Sequence, residues 1–306
     1  MIRLKRRSIV LFVLLLTACG LGQAVKQSAP QAEVKARRVV MWKASSPTAT
    51  VYLLGSIHLG EKDIYPLPDV VESAFRASKV LAVEINIKKI DQMAAVKMMQ
   101  QFGFYPDGDS LAKHLPKDVS DALDSFCSKN GMPRSALEIF KPWAVAITIE
   151  LIALQRAGQD PNLGIDVHFL SESKEPQKID ELETADFQMH ALSSGSEAEQ
   201  QEILADVLKE MANPQAHIQE MEDTFLSGDP ERIEKYMEKH NTPKSFYKRV
   251  LDDRNGPMAD HIEGYLKGKD QCFVVVGEGH LVGEKGIVKL LQQKNYKVEL
   301  ITAELK

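Results

Sequence analysis

An apolar run that stops at a glycine, with a histidine three residues later and a leucine after it, occurs twice in this chain, once near each end. The first copy is Val51-Tyr52-Leu53-Leu54-Gly55-Ser56-Ile57-His58-Leu59 and the second is Phe273-Val274-Val275-Val276-Gly277-Glu278-Gly279-His280-Leu281. Each run reads as a buried strand. The glycine permits a sharp turn at its end, so the histidine points over the sheet edge rather than into a helix. A mostly helical stretch separates the corners, so they can meet only if the first and last parts of the chain share one sheet. In open parallel sheets, sites form outside the carboxyl ends of the strands, which is where both histidines fall.

The segments around the corners fit that demand. Residues 39–43 begin a first strand and residues 50–54 form a second. Residues 66–79 place Val70, Val71, Ala74 and Phe75 on one helical face, and residues 80–85 form an apolar run broken by Glu84. Strand, helix, strand over this length is a βαβ unit with parallel strands. Helical spacing then recurs over residues 90–102, 117–129, 135–157, 197–211, 214–226, 230–239 and 244–266. Pro142 kinks or starts a helix, and Gly131, Gly158 and Gly228 are stops. Residues 177–182 are a short strand. The end of the chain returns to strand, helix, strand at residues 272–276, 284–293 and 297–302. The expected fold is α/β, with a mostly parallel central sheet built from the N- and C-terminal parts. A large helical insertion, residues 90–268, forms a cap.

The beginning reads as an address. Arg3, Lys5, Arg6 and Arg7 precede a short apolar stretch, residues 9–16, and then Leu16-Thr17-Ala18-Cys19. About eight apolar residues fall short of the roughly 20 that cross a bilayer, so residues 1–18 are expected to be a cleaved signal. The "LTAC" stretch resembles a bacterial lipobox, which implies that Cys19 becomes a lipidated N-terminus anchored by several acyl chains. Gly20 in place of an aspartate implies, by the same resemblance, the periplasmic face of the outer membrane. Residues 19–45 are assigned to the lipidated cysteine and a polar tether, and residues 46–306 to the domain. Cleavage would remove four basic and no acidic residues, taking the net charge from −5 to −9. An acidic surface argues against nucleic acid as partner. Cys127 and Cys272 are open to pairing in an oxidising compartment, but two cysteines do not fix a pairing.

Glu84 gives the corners chemistry. It interrupts an apolar strand covered on both faces, and a buried carboxylate demands a partner, a hydrogen bond or a metal. His58, His280 and Glu84 match a three-ligand metal site with open positions. Glu84 is either a ligand or the general base for water. The bland alternative is two loop histidines bound to nearby carbonyls and a strand-end glutamate facing solvent. No H-E-x-x-H helix, G-x-S-x-G elbow or P-loop is present.

With "LLGSIHLG", "PLPDVVESAFRASKVLAVEI", "GIDVHFL", "LET", "RN" and "VVVGEGHLVGEKGIVKLL" in this order, the chain resembles the TraB/GumN family, related to the Tiki proteins, from about residue 50 to 302. The resemblance implies a fold similar to erythromycin esterase and the haem-binding ChaN proteins. Its two G-x-x-H motifs and glutamate map to Gly55/His58, Gly277/His280 and Glu84. Tiki proteins act as metal-dependent peptidases. The implied function is therefore a lipid-anchored hydrolase of peptide or protein substrates, using manganese, cobalt or zinc at His58, His280 and Glu84. The alternative is a haem- or ligand-binding lipoprotein without catalysis. Arg254 is assigned to a substrate carboxylate or the developing oxyanion, or, with Asn255, to a helix C-cap. Glu183, which resembles the family's "LET" glutamate, is a carboxylate placed to orient a ligand histidine, and Asp166 supports the site. His168 reads as packed or capping. His114, His190, His217, His240 and His261 read as surface or structural residues. Glu278 and Glu284 flank His280, and Glu284 is expected to start a helix.

Overall fold

The structure, a computed structural model, describes residues 37–90, 92–240 and 243–305. The signal segment, Cys19 and the tether up to residue 36 lie outside them. Six strands form one sheet: β1 (Arg38–Ser45), β2 (Thr50–Ser56), β3 (Val80–Val83), β4 (Lys178–Glu181), β5 (Gln271–Gly277) and β6 (Lys297–Glu304), in the order β4-β3-β5-β2-β1-β6. Neighbours from β4 to β2 run parallel, whereas β1 is antiparallel to both β2 and β6. The expected α/β architecture with a mostly parallel sheet is therefore present. In register, Gly55 stands opposite Val276 and Ser56 opposite Gly277, so both corners leave the sheet side by side.

Two boundaries differ from expectation. Strand β1 occupies the last part of the stretch assigned to the tether, and it is an interior strand. Its residues alternate, with Val39 and Met41 buried on one face and Val40, Trp42 and Ala44 on the other. The edge strand β4 comes from the helical middle of the chain, so the sheet is not built from the two ends alone.

The helices are α1 (Asp69–Arg76), α2 (Gln92–Phe102), α3 (Lys117–Lys129), α4 (Pro142–Arg156), α5 (Ile165–Glu172) and α6 (Ala185–Ser193). They continue with α7 (Glu197–Glu210), α8 (Pro214–Phe225), α9 (Pro230–Lys239), α10 (Lys244–Tyr247), α11 (Asp253–Leu266) and α12 (Ile287–Gln293). Helices α1 and α5 cover one face, where Val71, Phe75, Ile165 and Phe169 pack on Leu54, Leu81, Phe273 and Val275. The cap covers the other face, with Val145 and Ile149 of α4, Leu204 of α7, Met237 of α9 and Met258 of α11 in one cluster with Leu53, Ala82, Val274 and Val276. A fully buried side chain of this size contributes roughly 1.5–3 kcal/mol.

Pro142 starts α4 as its first residue, where its missing N–H is harmless. The helix expected over 135–157 is thus split from a short 3-10 turn, Arg134–Leu137. Helix α12 begins at Ile287, so Glu284 does not start it and instead pairs with Lys289. A π turn, Lys248–Asp252, leads directly into α11. Cys127 and Cys272 are buried free thiols. Among the described residues, no helix is long and apolar enough to cross a membrane.

Candidate active site

Glu84 lies one residue past the end of β3, two residues after Ala82, and so faces the cap as Ala82 does. It is 4% exposed. Its Oε1 accepts the Gly277 N–H at 2.7 Å. Its Oε2 accepts from Arg254 Nη2 at 2.6 Å and Gln188 Nε2 at 3.1 Å. Burial alone would raise the Glu84 carboxyl, but His280, Arg254 and His58, with the Gly277 N–H, outweigh it and hold it at about 2.

The two histidines approach the free side of the same oxygen. His58 Nε2 lies 4.0 Å from Glu84 Oε1, and His280 Nε2 lies 3.7 Å from it. Behind each ring stands an acceptor. His58 Nδ1 is 3.1 Å from Asp166 Oδ1, and a carboxylate only accepts, so Nδ1 carries the hydrogen. His280 Nδ1 is 2.6 Å from Asn255 Oδ1. The Asn255 amide is itself oriented, because its Nδ2 donates to the Lys285 carbonyl at 2.9 Å. In the neutral form of each ring the hydrogen sits on Nδ1 and the Nε2 lone pair faces Glu84. Burial pushes His280 down to about 3, which keeps it neutral. Burial also works against charge on His58, but Asp166, through its charge and hydrogen bond, and then Glu84 raise it above the ordinary value.

Local sequence explains how these side chains reach one another. A Cβ on Gly55 would stand 2.7 Å from Glu278 Cγ, so glycine there lets the Glu278 side chain cross the end of β2. A Cβ on Gly164 would stand 2.5 Å from the His58 carbonyl oxygen. Glycine at that position lets the start of α5 abut the first corner, where Ile165 N–H donates to the Ile57 carbonyl at 3.1 Å. Asp166 is thereby set beneath His58, and Ser56 Oγ donates to its Oδ1 at 2.7 Å.

The residues singled out in the sequence take sharper roles. Arg254 is 1% exposed and lies in the first turn of α11, so it is not a C-cap. Its Nε donates to Glu183 Oε2 at 2.9 Å, Nη2 bridges Glu183 and Glu84, and Nη1 donates to the Val250 carbonyl at 2.7 Å. The guanidinium thus holds two carboxylates. Glu183 anchors Arg254 and touches neither ring, while Asp166 and Asn255 are the groups that orient the imidazoles. Burial outweighs Arg254 and raises the Glu183 carboxyl. His168 bonds Glu72 at 3.1 Å and packs on Tyr65. Ser56 and Gln188 are not singled out by the sequence, and Glu278 is noted there only as flanking His280. Ser56 and Glu278 lie inside the two motifs, which was a signal available in the sequence. Gln188 sits on α6, where no pattern marked it.

Among the described residues, no three His, Cys, Asp or Glu side chains are preset at metal-ligand spacing. Donors held about 2 Å from one ion stand roughly 3–3.5 Å apart. The 3.7 and 4.0 Å separations here exceed that by about an ångström at most. Two Nε2 lone pairs and one carboxylate oxygen also make a chemically suitable donor set, with the supporting hydrogen bonds that ligand histidines use.

An α/β sheet carrying two histidine corners and a buried glutamate defines the class of protein. The sequence model of the TraB/PrgY/gumN family matches residues 40–300, and the chain belongs to that family. It is 24% identical over 242 residues to the protein named "Uncharacterized protein YbaP" of Escherichia coli (strain K12), covering 79% of this chain and 87% of that one. The YbaP of Shigella flexneri matches to the same extent. A protein of Treponema pallidum (strain Nichols) is 19% identical over 268 residues, covering 83% of this chain and 80% of its own length. No solved structure matches the chain.

Proposed function

We propose that this chain is a lipid-anchored, metal-dependent hydrolase of peptides, with His58, Glu84 and His280 around one divalent ion: manganese, cobalt or zinc. The observation that carries the reading is the convergence of two oriented Nε2 atoms on one Glu84 oxygen, 4.0 and 3.7 Å away. When bound, such an ion acidifies water and polarises a carbonyl. The chain's own contribution is positioning and proton handling. Asp166 and Asn255 hold the rings in the ligand tautomer. Arg254 keeps Glu84 ionised, so that Oε1 serves either as a ligand or as the acceptor of a proton from attacking water.

Metal analysis of the purified protein beside His58→Ala and His280→Ala tests the site, and a peptide library assayed with each metal tests the reaction. Both variants should lose metal and turnover while keeping their circular dichroism. Glu84→Gln separates the roles: loss of turnover with metal retained makes Glu84 the base, and loss of both makes it a ligand. No turnover with any metal, together with stoichiometric haem uptake and a Soret band, would replace this reading with a haem-binding one. The anchor is proposed on Cys19, holding the domain at the periplasmic face of the outer membrane. Mass spectrometry of membrane-extracted protein should find an acylated N-terminal Cys19, and an intact Met1 would refute it.

A further inference from the structure

A cavity of about 40 Å³ adjoins the candidate site. Both corners form one side of it, through His58 and through Glu278 and Gly279. The cap forms the other, through Leu154 of α4, Met221 and Phe225 of α8, and Met237 of α9. A water needs roughly 10–15 Å³ on the same measure, so the space takes about three such groups. Its walls are mostly apolar, yet two carboxyl side chains line it, Glu150 of α4 and Glu278, and among the described residues no lysine or arginine does. Both are 3% exposed. The Glu278 carboxyl makes no hydrogen bond or ion pair among the described residues, so nothing there offsets its burial. A buried carboxyl without a partner is unfavourable, and a ligand bringing N–H donors and positive charge relieves it.

We propose that this cavity is a substrate subsite for a primary ammonium on a short apolar stem, gripped by Glu278 and Glu150 and enclosed by Leu154, Met221, Phe225 and Met237. The proposal rests on the reading of the adjoining centre as a peptide hydrolase. Two parts of a peptide carry this chemistry, a lysine side chain and a free amino terminus. Gly55 is part of the device, because a side chain there would collide with Glu278 and drive its carboxyl out of the wall.

The test is direct binding to the full-length chain, read by calorimetry with n-butylammonium, n-butanol and butyrate as probes. The ammonium should bind at least about ten-fold more tightly than the alcohol, the size of one charge-assisted hydrogen bond, and butyrate should not bind. Glu278→Gln and Glu150→Gln should each remove that advantage. If either variant fails to fold, Met221→Trp, which fills the cavity from the cap wall, should abolish binding instead. An N-acetylated peptide with one lysine and a lysine-free peptide with an open amino terminus then compete against n-butylammonium. Displacement by one or both names the source. Equal binding of alcohol and ammonium, binding unchanged in all three variants, or displacement by neither peptide would overturn the subsite. Hydrolysis without any preference for amines would sink the subsite and leave the hydrolase standing. Ammonium binding without hydrolysis would do the reverse.

Discussion

Arg254 is a wholly buried cation between two buried carboxylates, Glu84 and Glu183. Removing one member of such a group leaves uncompensated charge, so Arg254→Met should destabilise the fold by about 3–5 kcal/mol at neutral pH. The pH dependence follows from signs. In the native protein Glu84 is held at about 2 against an ordinary 4.5, so its contribution is present above pH 4.5 and is lost as pH falls toward 2. Without Arg254, Glu84 loses one of the charges that hold it down and rises from about 2, and Glu183, already raised by burial, rises further. Both carboxyls then protonate more readily in the folded variant, so its deficit shrinks as pH falls. The gap between variant and native protein in urea unfolding should therefore be widest at pH 7 and narrow toward pH 4.5. A gap independent of pH would show that Arg254 acts by packing alone. Glu84 could be singled out in the sequence, because a lone carboxylate in "VLAVEI" calls for a partner inside a covered strand, and its burial now removes the alternative of a strand-end glutamate facing solvent. Arg254 could be singled out too, but not its ion-pair partners. Its partners come from β3, the chain after β4, and α11, and no local pattern reports contacts across three separate elements.

At the scale of elements, the corners were legible because each combines a strand pattern with a glycine whose need is local. The helix that braces the first corner was not. The segment "GIDVHFL" is short and apolar on both sides, since α5 packs on the sheet with Ile165, Phe169 and Leu170 while Asp166 turns to His58. Helix periodicity is faint in eight residues. Gly164 records the contact instead. A methyl group there would lie 2.5 Å from a backbone oxygen that cannot swing away. Gly164→Ala should therefore destabilise the protein by about 1–3 kcal/mol and weaken metal binding by displacing His58. Gly264→Ala in α11 is the control, since a Cβ there meets nothing within 4 Å. It should add roughly 0.5–1 kcal/mol by helix propensity. Denaturant midpoints and metal titrations of the two variants read both effects. A Gly164→Ala protein with native stability and native metal affinity would mean that α5 does not brace the corner.

For the whole molecule, the decisive pairing is between the ends of the chain. The parallel meeting of β2 and β5 was implied by the repeated corner, because two histidines can share a site only if their strands are neighbours. The place of β1 was not implied by any pattern. Residues 39–43 read as a first strand, but they follow a polar stretch and lie within residues 19–45, assigned to the tether, so their place in the sheet was not marked. Their partner β6 lies at the far end of the sequence, and such a pairing leaves no local trace. Strand β1 joins β6 to the rest of the sheet and buries Val39, Val40, Met41, Trp42 and Ala44. At roughly 1.5–3 kcal/mol for each large side chain, that burial is comparable with the 5–15 kcal/mol by which a domain of this kind is stable. A chain starting at Arg37 should therefore unfold cooperatively by circular dichroism, and one starting at Thr50 should show no cooperative transition. The loss would reach the site although no proposed ligand is deleted, because β2 carries the first corner and would lose its antiparallel partner. A chain starting at Thr50 that still melted cooperatively and bound metal would show that β1 and β6 are an appendage, and that the four parallel strands alone hold the two histidines together.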